Sequence, residues 1–89
     1  MPETSYRIIA FGTNDHGFFN HFFFEFVERH AYIVYQACLA DPEFDGVVLI
    51  EVQHETWRVL EEYGTEGYSV VCGPVGNHKV EKAPALVLV

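Results

Sequence analysis

Six of the eight phenylalanines fall between positions 18 and 26, at the head of a proline-free segment that runs to Ala40. Whatever encloses these rings decides the fold. Each phenylalanine moved from water into a core contributes about 1.5–3 kcal/mol. Laid out as a helix from Phe18 to Ala40, the segment puts His21, Glu25, Glu28, Arg29 and Gln36 into one arc about 100° wide. The apolar residues, among them Phe19, Phe23, Phe26, Ile33 and Cys38, then spread over roughly 220°. A helix resting on one sheet needs an apolar stripe only a little over about 100° wide. The surplus rings therefore predict extra cover from a second helix, from the loop between residues 73 and 84, or from another copy of the chain. A homodimer built on this aromatic helix is the expectation.

The remaining elements are read from turn signals and apolar runs. Tyr6 to Phe11 is rich in strand-favouring residues and ends at Gly12. Thr13, Asn14 and Asp15 are suited to capping the helix that follows. Asp41-Pro42 and Asp45-Gly46 stop it. Gly46 to Val52 reads as a second strand. His54 to Tyr63 reads as a second helix, with Trp57, Leu60 and Tyr63 at helical spacing and Gly64 placed as its C-cap. Gly67 to Cys72 is a third strand, Gly73-Pro74 and Gly76-Asn77 mark a loop with room for a small hairpin, and Ala85 to Val89 is a last strand. The order β-α-β-α-β-β predicts a single α/β domain over residues 1–89, with a four-stranded, mostly parallel or mixed sheet packed with two helices. Val47 to Ile50 is apolar at every position, the mark of a strand covered on both faces.

Charge narrows the partners. Thirteen Asp and Glu against five Lys and Arg leave a formal charge of -8. That balance argues against non-specific nucleic-acid binding, which needs clustered cations to displace counterions. Between residues 41 and 66 eight carboxylates face Arg58 alone. Such a segment either solubilises the chain or docks on a basic protein surface. In the second case Glu55, Glu61, Glu62 and Glu66 carry the contact, and the partner is a protein with a basic surface, such as a nucleic-acid-binding protein that this chain inhibits. The leading expectation is thus a small acidic, non-catalytic interaction module that homodimerises.

Two alternatives use chemistry at specific residues. Asn14, Asp15 and His16, where a strand opens into a helix, with His54, form a candidate ligand or enzyme site at the carboxyl ends of the first two strands. The segment lacks G-x-G-x-x-G and a P-loop lysine, and Asp15 repels anions. His21, Glu25 and Glu28, at i, i+4 and i+7, would present metal ligands on one helical face. The same spacing occurs on solvated helices, and no H-E-x-x-H or C-x-x-C accompanies it. No cofactor is implied. His30 lies within the apolar arc, as a core histidine or a titrating group. Cys38 and Cys72 are two free thiols or one bridge, and Cys72 becomes a nucleophile only if His78 or His16 approaches it. The start of the chain carries no secretory pattern and no apolar run is long enough to span a bilayer, so a cytoplasmic location is expected.

Overall fold

The computed structural model describes residues 4–73 and 77–83. Six strands and one helix follow in the order β1 (Thr4–Asn14), β2 (Gly17–Glu25), α1 (Glu28–Leu39), β3 (Gly46–Gln53), β4 (Thr56–Tyr63), β5 (Tyr68–Cys72) and β6 (His78–Lys82). The first four strands form one sheet in the order β2-β1-β3-β4, and β5 and β6 form a separate ribbon. Every pairing is antiparallel. The two-helix α/β fold with a parallel sheet is therefore overturned, and the correction has two local causes.

First, the aromatic segment does not begin as a helix. Asp15 and His16 turn the chain back in two residues, and Gly17 takes the left-handed step at φ +106°. Asn14 Oδ1 accepts from the His16 N–H at 2.8 Å and braces the turn. Residues that looked like helix caps thus close a hairpin, and Phe18 to Phe24 pair with Thr13 to Arg7. Aromatic side chains favour the pleated surface. Second, His54 and Glu55 close another tight hairpin, with His54 at φ 37°. The register slips between Leu49 and Ile50, so that Ile50 faces Val59 and Leu49 faces Glu61. Leu60 is the extra residue. This bulge breaks the alternation of β4 and produces the false helical spacing of Trp57, Leu60 and Tyr63.

The helix is α1 alone. Ala31, Tyr35 and Cys38 form its buried stripe and pack on Tyr6, Ile8, Ala10, Val47 and Leu49. The opposite face of the sheet, Ile9, Phe11, Val48 and Ile50, is roofed by Val80 with Tyr68 and Val70 of the ribbon. The protein therefore has three layers: helix, sheet and ribbon. β3 is covered on both sides, as its unbroken apolar run requires. Gly46 lies against Phe11, so that a Cβ there would run into the ring and would stand 2.7 Å from the Tyr63 carbonyl oxygen. His30 is exposed, not a core residue. Cys38 is buried beneath α1 and Cys72 is exposed on the ribbon across the sheet, and both are free thiols. The expected strand Ala85 to Val89 lies outside the described residues. Among the described residues no helix is long and apolar enough to cross a membrane.

Candidate functional site

The residues singled out from the sequence do not gather as expected. Asn14, Asp15 and His16 form the turn at one end of β1, whereas His54 sits beyond Gln53, which pairs with Thr4 at the other end. Eleven residues of strand, roughly 30 Å, separate them, so they make no common pocket. His21 and Glu25 lie on a strand and Glu28 starts α1, which removes the helical face that was to hold a metal. Among the described residues no three His, Cys, Asp or Glu side chains are grouped to bind one. The His21 ring packs instead between Phe19 and Phe44, at 5.0 and 5.3 Å between centroids. The acidic residues divide as well. Glu55 is in the β3–β4 turn, while Glu61, Glu62 and Glu66 stand at the far end of β4. There a Cβ on Gly64 would collide with the Asp45 carbonyl, so the 41–45 loop and the 61–66 segment lie side by side. Asp41, Glu43 and Asp45 thus join Glu61, Glu62 and Glu66 at one end of the sheet.

Two features stand out on the opposite side of the molecule. The first is one outer edge of the sheet as the described residues form it. β2 and β4 are its two edge strands. β4 carries Arg58, Glu61 and Glu62 and a bulge, the usual protections against strand addition. β2 is nine residues long, contains no lysine, arginine or proline, and has Glu25 as its one acid. Phe22 is 60% exposed and Phe24 50% exposed on it, with Phe26 just beyond. No strand flanks its outer side among the described residues.

The second feature is a groove of about 590 Å³ between β2 and the ribbon. Arg7, Ile9, Phe22 and Phe24 line it from the sheet, and Asn77 and His78 from the ribbon. Alternation along β1 and β2 places Arg7, Ile9, Phe22 and Phe24 on the same face. The Arg7 guanidinium lies over the Phe24 ring at 5.6 Å. Its Nη1 donates to His78 Nδ1 at 3.3 Å. A guanidinium has donors only, so Nδ1 is the bare nitrogen and the imidazole proton sits on Nε2. His78 is 4% exposed, and Nε2 finds no hydrogen-bond partner among the described residues. The Trp57 ring meets this imidazole nearly perpendicularly at 4.8 Å. Burial, and then the charge of Arg7, lower the pKa of His78 below the usual histidine value.

Cys72 pairs with His78 across the ribbon, one of the two histidines whose approach would make a nucleophilic thiol. Its Sγ is nevertheless directed to the Gly73 carbonyl at 3.7 Å, and the imidazole Nδ1 is engaged by Arg7. His78 is thereby not placed as a base for the thiol. Sequence reasoning missed Arg7 altogether, because its partner lies 71 residues away. Comparison with protein-family models, curated proteins and solved structures returned no match.

Proposed function

We propose that the protein is a non-catalytic interaction module that pairs with a second copy of itself through β2. The observation that carries this reading is the contrast between the two edges of one sheet. β4 is charged and bulged, whereas β2 is long, regular and aromatic. An exposed edge of that kind is a template for another strand. The distribution of charge favours a second copy at β2 rather than at β4. Edge-to-edge pairing at β2 gives an eight-stranded sheet whose two β4 strands lie seven spacings apart, about 34 Å. That is several times the screening length of about 8 Å at physiological salt. Pairing at β4 would instead bring Glu61 and Glu62 of the two copies together. The antiparallel pair is isologous, each β2 facing the other.

The acid-rich ends of such a dimer lie outermost, and the gathering of Asp41, Glu43 and Asp45 beside Glu61, Glu62 and Glu66 supports a role for them in meeting a basic protein partner. Self-association is tested by sedimentation equilibrium at micromolar concentration. The wild type is expected to run as a dimer and Phe22→Lys as a folded monomer, since Phe22 is mostly exposed. A monomeric wild type overturns the reading.

A further inference from the structure

One of the contacts that hold the ribbon to the sheet can be undone by a proton. β5 and β6 have five residues each, and a two-stranded ribbon of that length has little stability of its own in water. It stays ordered because it docks. Val80 closes the apolar core beneath it, and Asn20 of β2 binds the main chain of Val80. A further hold is His78, the first residue of β6, whose Nδ1 accepts from Arg7 Nη1 at 3.3 Å. That contact exists only while Nδ1 is bare, because a protonated imidazole has two donors and no acceptor. The ring is 4% exposed, and Nε2 already has no acceptor among the described residues. Its surroundings do not favour a cation. Arg7 faces it from β1 and Trp57 from β4, where Arg58 is turned to Glu51 at 3.0 Å. On β5 the Cys72 sulfur is directed to the Gly73 carbonyl, and on β6 Lys79 pairs with Glu81 at 3.2 Å. β2 contributes phenylalanines to the groove that His78 lines, and no Asp or Glu of the described residues lines it. A charged ring is therefore disfavoured in the docked ribbon and hydrated in an undocked one.

We infer that His78 is a proton-operated latch: a proton on Nδ1 breaks the contact with Arg7 and shifts the β5–β6 ribbon toward an undocked state, while α1 and the four-stranded sheet stay folded. The face so uncovered is that of Ile9, Phe11, Val48 and Ile50. Burial first, and then the charge of Arg7, lower the pKa of His78, which is the sign this linkage requires. The docked form binds the proton less well than the undocked one, so falling pH favours undocking. Small units that dock on a larger body commonly open by themselves in this way. The inference does not rest on pairing through β2, since the latch lies on a face of the sheet and its test is read on the ribbon.

The test is amide hydrogen exchange of the intact protein, followed by NMR from about pH 7 to about pH 5 and corrected for the intrinsic pH dependence of exchange. Amides paired within the ribbon are expected to be less protected than those of β3 throughout. Their protection is expected to fall by up to about tenfold for each pH unit below about 6.5. The fall should level off where the His78 imidazole itself titrates in the same samples. His78→Gln, which offers an acceptor to Arg7 but does not titrate, is expected to remove the fall. If His78→Gln fails to fold, the agreement between ribbon protection and the histidine titration in the wild type decides alone. Ribbon amides as protected as those of β3 overturn the inference, because the ribbon then opens only with the whole molecule. So does ribbon protection that is unchanged across this range, or an equal fall in His78→Gln.

Discussion

The Asn20 carboxamide reads both main-chain groups of Val80. Its Nδ2 donates to the Val80 carbonyl at 3.1 Å, and its Oδ1 accepts from the Val80 N–H at 3.0 Å. One side chain on β2 thereby does for the outer edge of β6 what a neighbouring strand would do. Val80 is also the residue that closes the core on the ribbon side. Replacing Asn20 with Leu leaves both groups without partners in a half-buried setting. The expected loss is about 1–3 kcal/mol for an orphaned buried polar group. Urea unfolding measures it, and the Val80 amide should exchange with solvent faster than the amides of β3. Unchanged exchange at Val80 would show that the carboxamide contributes nothing to holding the ribbon.

Gly46 admits no side chain. A methyl group there meets the Phe11 ring and one further close neighbour, the main-chain oxygen of Tyr63. Phe11 is fully buried and cannot swing away. Gly46→Ala is expected to destabilise by about 3 kcal/mol, at the upper end of the usual cost of overpacking. Gly17→Ala, where nothing stands within reach of the added carbon, suffers backbone strain alone at its positive φ and should cost about 1 kcal/mol. Thermal unfolding of the two variants ranks them, and a reversed order contradicts the packing described at Phe11.

The pH response of stability should carry a contribution from His78. In the unfolded chain its imidazole takes up a proton near about pH 6.5. In the folded protein burial, and then Arg7, hold the pKa below that. Between the two values the unfolded state binds more protons, so stability rises with pH through that window. The contribution is complete above the unfolded value and is lost as pH falls toward the folded one. Urea midpoints measured from about pH 7 down to about pH 5 should therefore decline. His78→Gln should flatten the part of the decline that belongs to this group. A wild type and variant with parallel profiles would rule out its titration.

The two thiols should differ in reactivity. Cys72 is exposed, whereas Cys38 is buried under α1, where burial and then Asp41 push its pKa up. The thiolate is the reacting form. A disulfide reagent should titrate one thiol in the native protein and the second only on unfolding. Cys72→Ser should abolish the fast reaction, and two fast thiols would contradict the burial of Cys38.

β3 was legible in the sequence because a strand covered on both faces reads as an unbroken apolar run, and β1 because strand-favouring residues fill it. Residues 6–11 and 46–52 were placed correctly, as was the strand ending at Cys72. The helix was legible only in its second half, where Ala31, Tyr35 and Cys38 keep a true helical stripe. Its first half carried a warning. Apolar residues over two-thirds of a helix surface are more naturally a strand with rings on both faces. Asn14-Asp15-His16-Gly17 read equally well as a cap or as a hairpin turn, and tertiary pairing with β1 decided between them. The groove was illegible, because Arg7, Phe24 and His78 meet through sheet register and ribbon docking rather than through spacing. The surplus of exposed aromatic surface was legible, although on a strand edge instead of a helix.

The ribbon that roofs Ile9, Phe11, Val48 and Ile50 is made from the residues synthesised after the sheet itself. A nascent chain that has emerged only through β4 can lay α1 on one side while the other side faces solvent or a chaperone. Completion of the interior waits for residues 68–82 to leave the ribosome. A premature stop in β5 would release a sheet with one greasy wall bare, and its fate would be quality control rather than a smaller working protein.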